Sequence, residues 1–267
     1  MGFSGKIVMM AILFELPGNL PVYAFSLLLG VGTTLGIAWA VWQTNMDDKT
    51  FLAQTSVGVM FGSLLGGRLV YLVQEFGYTT QIWEPNPLFR LDGISWFGAF
   101  LGGLLTLLAI AWTSYQRFYV LLDALVPGLI VVTAFAWLGA WGMGRAYGME
   151  AGNAWWGLPT TDEWGTVVAR FPLQIAASLL TVFTGWAGDW LGHLTFVRRA
   201  AGRKSALTLL LLALGWIALD GLRADLTATR NGVRLDYWYA LGCALVSVVL
   251  LLGTFITRQT HHQTEHP

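Results

Sequence analysis

The chain has 267 residues, 55% of them hydrophobic and 11% charged, against roughly 25% charged in an average soluble domain. Its mean hydropathy of +0.60 places it in a bilayer. Lys plus Arg and Asp plus Glu number 15 each, so no net field draws nucleic acid or an acidic partner. The single cysteine, Cys243, excludes an intrachain disulfide or a cysteine metal cluster and reads as a core or lipid-facing residue.

In chain order, "MGFSGKIVMMAILFEL" offers a short apolar run near the lower limit of a signal-peptide core. No small-residue cleavage site follows, and Pro17 and Pro21 intervene, so the expectation is an interfacial N-terminal segment. Lys6 breaks the myristoylation pattern that the Met-Gly start suggests. A spanning helix needs about 20 mostly apolar residues. The punctuation leaves seven such runs, over 22–42, 52–74, 95–114, 120–142, 171–192, 205–220 and 239–257. The sixth is short and borrows from "RKS" or "DGL" to cross a core about 30 Å thick. The expected architecture is all-α: one integral membrane domain over 1–267, with a short outer-face segment at 149–170 and a cytoplasmic tail at 258–267.

Orientation follows from basic residues in short loops. Lys49, Arg117, Arg198, Arg199, Arg203, Lys204 and Arg258 fall on one side and Lys6, Arg90, Arg145, Arg170, Arg223, Arg230 and Arg234 on the other, so totals do not decide. The density of "RRAAGRK" does, placing the N-terminus outside and the C-terminus in the cytoplasm. Trp83, Trp96, Trp155, Trp156, Trp164 and Trp238 fall near the outer interface and read as an aromatic belt. Glycines in "GGRLVY" and "GAFLGG" read as close helix packing.

Ionisable groups inside a membrane are expensive and are functional candidates by default. Arg68, Asp123, Arg145, Asp189 and Asp220 qualify, although Asp123, Arg145 and Asp189 lie near span ends and can reach the interface. Arg68, beside Gly66 and Gly67, has two readings: contact with a lipid phosphate, or pairing with Asp123 or Asp220 to hold helices together. The histidines are His193 near the basic loop and His261, His262 and His266 in the tail, so spans and outer loops lack an imidazole for proton transfer. The tail cluster "HHQTEH" reads as solvated chain rather than a metal site, and no metal or other cofactor is called for. No GxSxG, HExxH or P-loop pattern occurs.

The order "PVYAF", "GGRLVYL", an aromatic and proline-rich loop, "GISWFGAFLGG", "DALVPG", "AWLGAWGMGRAYG", "RFPLQI" and "WIALDGLRAD" resembles bacterial prolipoprotein diacylglyceryl transferase. The resemblance runs from about residue 20 to the last span. It implies seven helices in the bacterial inner membrane and transfer of a diacylglyceryl group from phosphatidylglycerol to a lipobox cysteine at the outer leaflet. Such chemistry needs a cation for the departing glycerol phosphate and a route for the thiol proton.

By that resemblance Tyr23, Gly66, Gly67, Arg68, Asp123, Gly139, Gly144, Gly148 and Arg223 keep the family pattern. Phe97 stands at the family's histidine, Trp137 and Trp216 at arginines, Ala140 at an asparagine, and Arg145 at a glutamate. Phe171 replaces a histidine, Ala177 a glutamate, and Asp220 keeps only a glutamate's charge. The 149–170 segment is also short beside the family's periplasmic head. The resemblance therefore implies a lipid-binding scaffold formed by Tyr23, Gly66, Gly67, Arg68, Phe97, Trp137, Gly148 and Trp216, without the usual transfer. The expected ligand is phosphatidylglycerol or a similar phospholipid, and the expected setting is a larger membrane complex with other protein subunits. The alternative is an active transferase with a rewired site using Tyr23, Arg68, Arg145, Asp220 and Arg223. A transporter or channel has little support in so few intramembrane charges.

Overall fold

A computed structural model describes residues 12–16, 20–44, 46–78, 93–114, 117–162, 166–225, 227 and 229–263. The long helices among them are α1 (Ala24–Gln43), α2 (Lys49–Tyr78), α3 (Trp96–Thr113), α4 (Phe118–Gly142), α5 (Leu173–Gly192), α7 (Arg203–Asp220) and α8 (Leu235–Gln263), with a single turn α6 (Thr195–Arg198). Three two-stranded antiparallel hairpins accompany them: β1 (Ile12–Leu16) with β2 (Leu20–Tyr23), β3 (Leu158–Thr161) with β4 (Val167–Arg170), and β5 (Thr229–Arg230) with β6 (Val233–Arg234). Each apolar run is a helix, six of them within four residues of the expected bounds, while the last, expected over 239–257, extends over Leu235–Gln263.

Five helices are long and apolar enough to cross a membrane: α1, the Lys49–Gln74 part of α2, α3, α4 and the Leu235–Phe255 part of α8. The two remaining runs are more polar. α7 contains Arg203, Lys204 and Asp220, and α5 buries Gln174, Ser178, Thr181 and Thr184. Both still pack into the bundle, since a Cβ on Gly185 of α5 would lie 2.8 Å from Ile130 of α4 and one on Gly215 of α7 would lie 2.7 Å from Leu180 of α5. Helical hydroxyls return to the carbonyl one turn back, as Ser56 does to Leu52 at 2.8 Å and Ser247 to Cys243 at 2.7 Å. In an environment without water those carbonyls are the available acceptors.

Lipid tails are as apolar as leucine, so helix pairs in a bilayer gain most where small residues let backbones approach. A Cβ on Gly66 of α2 would meet the Gly98 oxygen of α3 at 2.5 Å, and one on Gly36 of α1 would meet the Gly128 oxygen of α4 at 2.7 Å. The expected close packing of "GGRLVY" against "GAFLGG" is therefore present. Cys243 belongs to the core, at 4% exposure beside Ala213 and Ala244.

The bundle has two distinct ends. One, the hairpin end, carries β3, β4, the starts of α1, α3, α5 and α8 and the ends of α2, α4 and α7. Exposed Trp155, Trp156 and Trp238 lie there, and Trp39, Trp42, Trp112, Trp186 and Trp190 expose indoles toward the opposite end. The aromatic belt is thus two-sided, whereas the sequence suggested its outer half. Trp96 leaves that belt for the interior, and Trp83 and Trp164 lie outside the described residues.

The opposite end uses much of its charge internally. Asp123 accepts from Gly202 N at 2.6 Å and from Ser205 Oγ at 2.6 Å, capping the start of α7. Lys204 pairs with Asp189 at 2.5 Å. Arg203 is 1% exposed, with its guanidinium 4.6 Å from the Phe196 ring and 4.2 Å from the Phe255 ring. Of the basic run, Arg198 and Arg199 remain exposed.

Candidate functional site

The hairpin end joins most of the ionisable and aromatic candidates. Ser95 starts α3 by accepting from Gly98 N at 3.4 Å, and its own N–H donates to Gly67 O at 3.0 Å. Arg68, one residue along α2, donates from Nη1 to Gly93 O at 2.9 Å, and its guanidinium sits 5.4 Å from the Tyr71 ring. Arg68 therefore anchors the chain entering α3. Of the two acidic partners considered for Arg68, Asp123 lies at the other end capping α7, and Oδ1 of Asp220 has no hydrogen-bond partner.

From this entrance α3 projects Trp96 and Phe97 toward α7 and α8. Trp96 meets Trp216 edge to face with centroids 4.7 Å apart, and Phe97 stacks on Tyr239 at 4.7 Å and 6°. Gln74 of α2 donates to the Tyr239 hydroxyl. Trp96 Nε1 donates to Asp236 Oδ1 at 2.8 Å, tying the aromatic group to a charged one.

The charged group is built by the α7–α8 connection. Asn231 and Gly232 adopt φ of 55° and 74° at the tip of the β5–β6 hairpin, the conformation that an Asn-Gly turn favours. The chain thereby returns Arg234 and Asp236 to Arg223 and Asp225. Arg223 donates from Nε and Nη2 to Asp225 at 2.9 and 2.7 Å, and from Nη1 to Asp236 at 2.8 Å. Burial works against the Arg223 charge, but hydrogen bonding to Asp225 and the charges of Asp225 and Asp236 outweigh it, so its pKa is raised. Arg234 donates to Thr227 Oγ1 at 3.0 Å, to Arg223 O at 2.7 Å, and to Asp225.

The glycine motif after α4 braces this assembly. Gly148 pairs its backbone with Arg223, Met149 N donates to Leu222 O at 3.0 Å, and Phe171 N donates to Met149 O at 2.9 Å. A Cβ on Gly148 would meet Phe171 O at 2.5 Å, so the close approach needs glycine. Gly144 and Ala146 take positive φ in the same turn. On its far side Arg170 lies 4.3 Å over the Tyr147 ring and 3.4 Å from Asp162.

Arg68, Phe97, Trp216, Asp220, Arg223 and the Gly148 backbone thus share one end and one network of neighbours. Gly66 and Gly67 spend their open side on α3, against Gly98, Gly102, Ile94 and Ser95. Tyr23 is the half-buried N-cap of α1, Trp137 is half-buried on α4, and Gly139 packs on Phe25. Arg145 is exposed, and its contribution inward is a carbonyl that accepts from Gln174 at 2.9 Å. Sequence reasoning missed Gln74, Asp225, Arg234, Asp236 and Tyr239. The readable signal was "RNG", an Asn-Gly turn between charged residues.

The family model for prolipoprotein diacylglyceryl transferase matches residues 11–253. A phosphatidylglycerol–prolipoprotein diacylglyceryl transferase from Tropheryma whipplei is 28% identical over 214 residues, covering 76% of this chain and 77% of its own. Those from Streptomyces avermitilis and Bifidobacterium adolescentis are 26% and 25% identical, each over 88% of this chain and over 70% and 75% of their own. With a family match across nearly its whole length and a helical membrane architecture, the chain belongs to the prolipoprotein diacylglyceryl transferase family.

Proposed function

We propose that this family member holds a membrane lipid at the hairpin end without transferring its diacylglyceryl group, and serves as a lipid-contacting subunit of a larger membrane complex. The observation that carries the reading is the bracketing of Arg223 by Asp225 and Asp236 beside an aromatic cluster of Trp96, Phe97, Trp216 and Tyr239. Transfer from phosphatidylglycerol needs cationic donors aimed at the departing phosphate. A guanidinium whose donors already serve two carboxylates has little left to offer. Deprotonation of a thiol needs a base, and the histidines among the described residues, His193 and, in the last turn of α8, His261 and His262, belong to the opposite end.

The subunit role is supported by the exposed tryptophans at the hairpin end, Trp155 at 93%, Trp156 at 40% and Trp238 at 43%. Aromatic residues of this kind are enriched at protein contacts and at headgroup level. We place the hairpin end outside and the basic Arg198 and Arg199 in the cytoplasm, in a bacterial inner membrane.

The test is diacylglyceryl transfer by the purified protein from phosphatidylglycerol to a fluorescent lipobox peptide, with the Tropheryma whipplei relative run alongside. No turnover by folded protein is expected, and clear turnover overturns the reading.

Active transfer is the second reading, favoured by relatives named as transferases across 76% to 88% of the chain. Arg68 would then be essential, as the site cation next to the start of α3, where it bonds the Gly93 carbonyl. Full transfer by Arg68→Ala would exclude that form of it.

A further inference from the structure

Trp216 and Asp220 lie four residues apart on α7, hence on one face of the helix. Nε1 of Trp216 and Oδ1 of Asp220 are both buried, and neither has a hydrogen-bond partner. Buried polar atoms are satisfied in nearly all folded proteins, so a donor and an acceptor left open on one face are informative. Together they match a group that accepts one hydrogen bond and gives another. An indole N–H can only donate, and a carboxylate can only accept.

Ligand chemistries divide sharply on that requirement. A phosphodiester oxygen accepts from the indole but has no proton for Asp220, and an ammonium donates to Asp220 but cannot accept from Trp216. An alcohol hydroxyl does both. Charge points the same way, because the side-chain donors of Arg223 serve Asp225 and Asp236 and Arg234 also donates to Asp225. An anion placed beside Trp216 meets the Asp220 carboxylate. The Trp216 ring itself packs on Trp96, next to Phe97, so the surroundings suit an apolar body.

We propose that Trp216 and Asp220 receive the alcohol hydroxyl of an uncharged lipid, of the class of a diacylglycerol, rather than the phosphate of a phospholipid. The inference rests on the lipid-holding reading of the same site and names its ligand class.

The experiment uses the full chain in phosphatidylcholine nanodiscs. Binding is compared for a fluorescent diacylglycerol, its O-methyl ether and phosphatidylglycerol with the same chains. The alcohol should bind about tenfold more tightly than the ether, the loss expected for one hydrogen bond to a charged group, and more tightly than phosphatidylglycerol. Asp220→Leu should abolish the preference for alcohol over ether. Trp216→Phe should weaken both, since both accept from the indole.

Equal binding of alcohol and ether by the parent protein would mean that the pair holds an ordered water only, and would overturn the proposal. Preference for phosphatidylglycerol would overturn its uncharged part. Peptide transfer is scored on the same preparations. Turnover with the alcohol preference intact refutes the non-transfer reading alone, whereas no turnover and no preference refutes this inference alone.

Discussion

Trp96 and Trp216 pack edge to face at 82° with ring centroids 4.7 Å apart, and the Trp96 indole N–H ends on Asp236 at 2.8 Å. One side chain therefore links α3 to α7 through dispersion and to α8 through a charge-assisted hydrogen bond.

Trp96→Phe keeps most of the ring contact and removes the donor. It should lower stability by about 1.5–3 kcal/mol, the range for hydrogen bonds to charged groups. Trp96→Ala also loses the aromatic pair and should cost about 3–5 kcal/mol. Thermal unfolding in detergent, followed by the fluorescence of the remaining tryptophans, orders the two. Equal melting temperatures for the parent and Trp96→Phe would rule out a contribution from the Asp236 bond.

Asp225 is the shared acceptor of Arg223 and Arg234, with side-chain exposures of 11%, 12% and 19% respectively. Asp225→Asn leaves two guanidiniums short of a carboxylate in a poorly hydrated setting. Breaking such a group commonly costs about 3–5 kcal/mol, and partial exposure of Arg234 puts the expectation at the lower end. The freed Arg223 should also gain affinity for anions. Inorganic phosphate should therefore raise the melting temperature of Asp225→Asn more than that of the parent protein. A parent protein that responds equally would show that Arg223 was never occupied.

The helices were legible and this network was not, for physical reasons. Apolar length is a direct signature of a span, and the run expected at 120–142 is the helix Phe118–Gly142. Polarity within a helix was harder to weigh, as α7 shows by carrying Arg203, Lys204 and Asp220. The Arg223–Asp236 pair depends on a hairpin whose Asn231-Gly232 turn is visible in the sequence, but a turn motif does not say which charges it brings together. Arg68 is different again. It donates to the carbonyl of Gly93, 25 residues away, and a backbone carbonyl has no residue-type signature. Charged side chains suggest Asp123 and Asp220 instead, though one caps α7 and the other leaves Oδ1 unbonded.

Gly66 and Gly30 make a controlled comparison. A Cβ on Gly66 would meet backbone of α3 at 2.5 Å, whereas one on Gly30 meets nothing within 4 Å. Gly30→Ala should be neutral or stabilising by up to about 1 kcal/mol, because alanine is the better helix former. Gly66→Ala must push two backbones apart and should destabilise by about 1–3 kcal/mol, the usual cost of overpacking. Resistance of the purified variants to unfolding in dodecyl sulfate reads both signs. A stabilised Gly66→Ala would mean that α2 and α3 are not held at this separation.

Arg203 supplies the strongest expected effect away from the candidate site. Its guanidinium lies between the rings of Phe196 and Phe255, donates from Nη1 to Phe196 O at 2.8 Å and from Nε to Thr254 Oγ1 at 3.1 Å, and is 1% exposed. It thus joins α6 to α8 from the first turn of α7. Lysine keeps the charge but loses the planar fork that stacks and bonds at once. Arg203→Lys should therefore destabilise by roughly 2–3 kcal/mol and Arg203→Ala by roughly 3–5 kcal/mol. Neighbouring Lys204 pairs with Asp189 while 31% exposed, against 47% for the aspartate, and Lys204→Met should change stability by less than about 1 kcal/mol. Denaturation of the three variants separates a buried structural cation from a surface one. A Lys204 effect as large as that of Arg203 would overturn this division, and with it the assignment of Arg203 to internal packing rather than to the basic face.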